Sequence, residues 1–322
     1  MNKLIPISML FFSTSAICNT ITILPNVKSG LPTFIQEPNL YQAPDFDHFN
    51  FTYGYLSEQA EAFAELPIAL GSIERVCIKT TFSEVSYKEG SAQSGVLVYT
   101  YSTNSEGEKA YNTTIGDRVA LDEMSEHCFD ESSWVYRNWL ADKNMTFTPY
   151  SSSFAIIEDV RVVIQGELVL SQEPAVFVTQ YLDFISKVGF DQSANFYHTD
   201  SIRELKALFE QGLDKNSQNV IFIKNIAFGT DVTIEEIAMM TDEEFMNTFL
   251  RIMEKVQGSN TINSSYLKVL NDFEYQDIKY IVVETREDLQ GHSVKQHEVI
   301  LLKKEGEYWK LYMVENLKGF FI

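Results

Sequence analysis

Ser171-Gln172-Glu173-Pro174-Ala175-Val176-Phe177-Val178-Thr179-Gln180-Tyr181-Leu182-Asp183-Phe184-Ile185-Ser186-Lys187-Val188 is the stretch at which the texture of this chain changes. Ser171 can cap a helix whose early turn holds Glu173 and Pro174. Val176, Phe177, Tyr181, Phe184, Ile185 and Val188 then recur at three- and four-residue steps, the period of one helix face. Before this stretch the pattern is that of strands. After it come helices and then strands again.

Downstream, a second helix is predicted over 200–213, with Ile202, Leu205, Leu208 and Phe209 on its apolar face. The run at 219–228 (NVIFIKNIAF) reads as a strand or buried extended segment. Thr233 opens a short helix. Thr241 and Glu244 form a capping box ahead of Phe245, Phe249, Ile252, Met253 and Val256, and Gly258 stops that helix. Four strands follow at about 265–273, 278–287, 294–304 and 308–316, the last three joined by turns at Gln290-Gly291-His292 and Glu305-Gly306-Glu307. Helices followed by an antiparallel meander are an α+β signature.

Upstream, 46–170 carries several short strands separated by turn signals: 49–53, 73–82, 95–102, the weaker 133–140 and 145–148, and a long or bent strand at 154–170. One helix is predicted, over 57–66 with Ser57 as its N-cap. Such spacing suggests an all-β, jelly-roll-like sandwich. Residues 19–45 hold Pro25, Pro32, Pro38 and Pro44 and read as an extended arm or edge strands. Residues 1–18 read as a cleavable secretory signal: Lys3, the apolar run 4–12, then Ser13, Thr14, Ser15 and Ala16. Lipidation at Cys18 is disfavoured because Ile17, the residue before it, is not small. The expected fold is therefore multidomain, with signal 1–18, arm 19–45, a β-sandwich over 46–170 and a cone-shaped α+β domain over 171–322.

With 322 residues, 45% hydrophobic and 13% aromatic, the chain can build real cores. Its net charge is −20, and both parts are acidic: 9 Lys/Arg against 21 Asp/Glu over 19–170, and 15 against 24 over 171–322. That field repels phosphate backbones and anionic lipid headgroups, so no nucleic-acid partner is expected. The densest basic run is Lys303-Lys304, followed at once by Glu305, and no basic patch is legible. No stretch is long and apolar enough for a membrane span. Without the leader two cysteines remain, Cys77 and Cys128, and in an oxidising compartment they suggest one disulfide. The expected location is exported, periplasmic or secreted. The sequons at Asn50, Asn112, Asn144 and Asn263 read as chance, because the compact leader looks bacterial.

The closing stretch Glu298-Val299-Ile300-Leu301-Leu302-Lys303-Lys304-Glu305-Gly306-Glu307-Tyr308-Trp309-Lys310-Leu311, with the order of elements before it, resembles the nuclear transport factor 2-like superfamily, which includes ketosteroid isomerase. The resemblance implies a curved sheet with helices packed on its concave side over an apolar pocket, used for catalysis by some members and only for binding by many. For the first half, a sandwich of the carbohydrate-binding-module kind is an analogy of fold, which does not establish function.

Proton-transfer chemistry in such a pocket needs a carboxylate or histidine beside a donor such as tyrosine. Glu284 and Tyr280 share one face of their strand with Val282, and His297 shares a face with Val299 and Leu301. Trp134, Tyr136, Trp139 and Tyr150 are candidates for a sugar-stacking platform or for core. Asp45 with Asp47, or Glu158 with Asp159, could offer oxygens to Ca²⁺, but neither pair has EF-hand spacing, and no cofactor or metal site is expected. His292 and His297 lie five residues apart on one strand, hence on opposite faces. No GxSxG, P-loop or GxGxxG motif occurs. The sequence thus favours an exported non-enzymatic binding or interaction protein whose partner is a protein, a glycan or a small apolar ligand. The alternatives are an enzyme doing proton transfer on a small apolar molecule in the C-terminal pocket, and glycan binding by the N-terminal sandwich.

Overall fold

The structure, a computed structural model, describes residues 18–27, 62–86, 94–98, 102–103, 109–110, 124–133, 136–137, 140, 144–151, 154–257, 265–289 and 292–313. The leader before Cys18, most of the proline arm, the strand predicted at 49–53, Asp45, Asp47, Trp134 and Trp139 lie outside the described residues, and so does Gly258.

The first part is antiparallel sheet. Strands β1 (Cys18–Ile23), β2 (Asn26–Val27), β3 (Ala62–Glu65), β4 (Leu70–Ser86), β5 (Ser94–Val98), β6 (Ser102–Thr103), β7 (Lys109–Ala110), β8 (Met124–Asp130), β9 (Asn144–Ser151) and β10 (Phe154–Leu168) follow in order. They form two four-stranded sheets, β1-β10-β4-β8 and β2-β3-β9-β5, and the two-stranded ribbon β6-β7. The described start of the proline arm supplies an edge strand to each four-stranded sheet, as fits a segment poor in free donors. Val162 and Ile164 are buried on β10 and alternate with exposed or half-buried neighbours, whereas on β4 Val76, Cys77 and Ile78 are all buried.

Two local expectations fail here. Of the helix expected over 57–66, residues 57–61 lie outside the described residues and 62–65 form strand: Ala64 is buried and Glu65 exposed, and pairing with β9 is rewarded more than helix propensity. In the stretch expected as strand at 133–140, the residues described beyond Ser133 are helical. Tyr136, Arg137 and Leu140 are helical, and the Arg137 amide donates to the Ser133 carbonyl at 3.3 Å.

Beyond Ser171 lie α1 (Pro174–Lys187), α2 (Thr199–Asp214), α3 (Gln218–Ala227), α4 (Ile234–Met239) and α5 (Asp242–Gln257), with short 3₁₀ turns at Phe190–Gln192 and Ala194–Phe196 between α1 and α2. Pro174 opens α1, where its missing N–H costs nothing. Ser171 does not cap that helix; its Oγ accepts from the Glu173 amide instead. Thr233 opens α4 and the Thr241/Glu244 capping box opens α5 as the sequence predicts, and Thr233 forms a capping box of its own with Glu236. The segment expected to be extended at 219–228 is α3. An apolar run of this length does not reveal its period. Asn216, at φ 55°, turns the chain out of α2, and Gly212 lets α3 close in, since a Cβ there would meet Val220 Cγ2 at 2.5 Å.

The chain then forms the meander β11 (Ser265–Tyr275), β12 (Ile278–Leu289), β13 (His292–Glu305) and β14 (Tyr308–Leu311), paired in that order. Gln276 and Asp277, at φ 49° and 63°, make the tight β11–β12 turn.

The hydrophobic core runs across Ser171. Ile21, Leu66, Ile78 and Ile164 belong to one buried cluster with Phe177, Phe184, Phe196, Phe209, Phe245, Ile281, Val283 and Leu302. Phe196 is its hub, with ring centroids 5.0 Å from Phe184, 5.5 Å from Tyr181 and 5.9 Å from Phe177. Each such side chain, fully buried, contributes about 1.5–3 kcal/mol of transfer free energy. Polar contacts seam the same junction. The Ile68 amide donates to Asp183 Oδ2 at 2.8 Å, and Lys187 Nζ donates to the Leu66 carbonyl at 3.2 Å.

Candidate functional site

The two faces of the C-terminal sheet differ. Register sets Ile281 opposite Ile300, Val283 opposite Glu298, Thr285 opposite Gln296, and Leu302 opposite Leu311. Ile281, Val283, Leu302 and Leu311 on this inner face are buried in the common core beneath the helices. Near its open end Thr285 Oγ1 donates to Glu298 Oε1 at 2.9 Å.

The outer face is also apolar, but among the described residues nothing covers it. Tyr280 stands opposite Phe273 and Leu301, Val282 opposite Val299, and Ile278 opposite Tyr275. Phe273 and Tyr280 are stacked, with ring centroids 4.7 Å apart and planes 2° from parallel. Phe273, Val299 and Tyr275 are 50%, 55% and 60% exposed. Tyr280, Val282 and Leu301 are half-buried by their neighbours, and none belongs to the described core or packs against it. The strands therefore carry continuous apolar runs, Ile281-Val282-Val283 and Val299-Ile300-Leu301-Leu302, with one half of each run left facing outward. Such runs are the pattern of strands buried on both faces.

All three predicted acid–base candidates sit on this outer face. Glu284 and His297 are direct cross-strand partners, 3.6 Å apart between Oε2 and Nε2, and Lys295 Nζ donates to Glu284 Oε1 at 3.1 Å. The Lys295 hydrogen bond holds the Glu284 carboxyl below the usual carboxylate range, against partial desolvation, with Lys268 and His297 assisting. Tyr280 is stacked on Phe273, two pairs along the strand from Glu284. The three therefore form one charged end and one aromatic end of a surface stripe, on the side of the sheet turned away from the helices.

Strand pairing assembles a basic set that linear sequence conceals. Lys268 is opposite Glu284, Arg286 opposite Lys295, and Lys303 opposite both Ile278 and Lys310. On the outer face, among residues whose side chains are described, Lys268, Arg286, Lys295 and Lys303 thus accompany only Glu284 and Glu305. The expectation that the chain has no local basic patch is corrected here, because a period of two gathers cations that lie apart in the sequence. Lys303 Nζ lies over the Tyr312 ring, 5.1 Å from its centroid, and Lys310 Nζ donates to the Asn195 carbonyl.

Between helices and sheet the interior is apolar and rich in phenylalanine, and it holds a tyrosine pair that sequence reading did not single out as a site. The Tyr181 and Tyr197 hydroxyls are 2.9 Å apart and buried. Burial raises both phenols, Tyr197 to about 12, so both stay protonated at neutral pH and satisfy each other. Helical spacing marks Tyr181 as inward, but Tyr197 lies between a 3₁₀ turn and α2 and carries no periodic signal.

In the first part, Tyr136 is buried and its hydroxyl donates to the Ile73 carbonyl, so its ring presents no face to a sugar. Tyr150 lies in β9, and Trp134 and Trp139 are outside the described residues. Glu158 and Asp159 lie in β10. Cys77 and Cys128 are cross-strand partners on β4 and β8, joined by a disulfide with Cα atoms 4.0 Å apart. Glu126 lies near both sulfurs, but disulfide sulfurs are not thiolate ligands, so the trio is no metal centre. No protein-family model, curated protein or solved structure matches this chain.

Proposed function

We propose that this protein is an exported, non-enzymatic binding or interaction protein, and that it engages its partner through the outer face of the C-terminal sheet. The observation that carries this reading is the stripe of Phe273, Tyr275, Tyr280, Val282, Val299 and Leu301, contiguous over three strands and uncovered among the described residues. Apolar surface of this extent with a charged rim is characteristic of interaction sites. The disulfide supports an oxidising compartment. No described helix is long and apolar enough to cross a membrane. We read the two N-terminal sheets as layers of a jelly-roll-like sandwich and the C-terminal helices and meander as a nuclear transport factor 2-like unit; element order supports this.

Glu284 serves the proton-transfer alternative poorly, since a carboxylate held ionised by Lys295 is a weak base on an open surface. The glycan alternative loses Tyr136, whose ring is turned inward.

The test is site-specific photocrosslinking of the full chain in extracts of its source. A photoreactive residue at Phe273 or at Val299 should give the same discrete adduct, absent when the residue is placed at exposed Glu243 on α5. The Phe273 adduct should vanish with Val299→Asp. Equal labelling from all three positions, or none, overturns the reading.

A further inference from the structure

Resting on that reading, we infer that the partner is an amphipathic helix bearing carboxylates along the edges of its apolar face. Three observations converge on this occupant. The first is shape. The sheet already accepts helices on its inner face, where Ile281, Val283 and Leu302 are sealed in one cluster with Phe177 and Phe184 of α1. The outer stripe offers the same kind of surface from the same two central strands, and an apolar helix face, with contacts at i, i+3, i+4 and i+7, is what fills it.

The second is charge. The chain as a whole carries −20, yet the outer face holds four cations against two carboxylates among its described side chains. Lys268, Arg286 and Lys295 gather at one end around Glu284, and Lys303 lies at the other, so the apolar stripe is bracketed by positive charge. Lys295 and His297 are well exposed, at 65% and 62% of their side chains. Over a screening length of about 8–10 Å this island sets the field that a short docked segment feels. Acidic flanks complement it and basic flanks do not. The third is selectivity. An anionic bilayer, or a second copy of this chain, meets the full negative charge over a large surface, whereas a single helix meets mainly the island.

A peptide-display selection reads the partner's chemistry directly. Random 20-residue peptides are selected on the full-length protein and counter-selected on its Val299→Asp variant, and oligomeric state is followed by light scattering. Circular dichroism confirms that each variant is folded. The expected result is a set of face-dependent peptides with helical apolar spacing and net negative charge. Their affinity should fall at least tenfold for the Lys295→Glu/Lys303→Glu double variant and fall further with added salt. Face-dependent peptides that are basic, or that alternate with the period of a strand, overturn the acidic helix while leaving the interaction surface standing. A wild-type dimer that Val299→Asp dissociates assigns the face to a second copy and also overturns the inference. If no peptide depends on the face, the inference and the reading beneath it fall together.

Discussion

Gln192 and Thr22 are 170 positions apart, and the side-chain amide of one grips the backbone of the other as a neighbouring strand would. The Thr22 amide donates to Gln192 Oε1 at 2.6 Å, and Gln192 Nε2 donates to the Thr22 carbonyl at 2.7 Å. Thr22 lies on β1, the edge of its sheet, so its outward-facing donor and acceptor would otherwise go unpaired. One side chain in the 3₁₀ turn after α1 thus closes a sheet edge in the first part of the chain. It also links the two textures that meet at Ser171.

Gln192→Ala removes both bonds and leaves two partly buried backbone groups unsatisfied. Urea unfolding should show a loss of about 1–3 kcal/mol. Gln192→Glu keeps the length but lacks the donor to the Thr22 carbonyl, and should recover little of that loss. A loss below about 0.5 kcal/mol for Gln192→Ala would mean that β1 is held by its β10 pairing alone.

The buried phenols predict an alkaline limit. Their folded values lie above the ordinary 10.0, Tyr197 at about 12, chiefly because burial penalises phenolate. A group whose value is raised on folding contributes stability that is complete below the unfolded value and is lost as pH rises through the folded one. Stability should therefore be insensitive to these groups up to about pH 10 and fall between about 10 and 12. Following phenolate absorbance and unfolding together checks this. Tyr181→Phe should cost about 1 kcal/mol at neutral pH, because it removes a partner of the Tyr197 hydroxyl.

Much of this fold was legible because its signals are local. The helix start at Thr233, the capping box at Thr241, the helix carrying Ile202, Leu205 and Phe209, and the four-strand meander follow from residues within a few positions of one another. The runs at 62–65 and 219–228 were not. The first is decided by its pairing with β9, and the second by a missing Cβ at Gly212 that admits Val220. Glu284, Tyr280 and His297 were legible as a set because strand alternation is local. Which face the helices cover depends on packing between distant segments, and that relation places the set outside. The basic rim escaped notice for the same reason: Lys268, Arg286, Lys295 and Lys303 become neighbours only through register.

The Cys77–Cys128 disulfide fastens the edge strand β8 to β4 and closes a separation of 51 residues. Replacing both cysteines by alanine should lower unfolding free energy by about 2–5 kcal/mol. A reductant should lower the melting temperature of the native protein and leave that of the double variant unchanged. Equal melting temperatures for the native protein with and without reductant would show that the bridge does not form.

The sheet's asymmetry, one face inside the core and the other uncovered among the described residues, is tested most directly by a matched pair of isosteric substitutions measured by urea unfolding. Val283→Thr and Val299→Thr each exchange a methyl for a hydroxyl and keep a β-branched side chain on the same sheet. Val283 is fully buried and Val299 is 55% exposed. Val283→Thr should cost about 1–3 kcal/mol for burying an unpaired hydroxyl, and Val299→Thr should change stability by less than about 0.5 kcal/mol. Comparable losses at the two positions would mean that the outer face is covered by the chain itself, and that no interaction surface exists there.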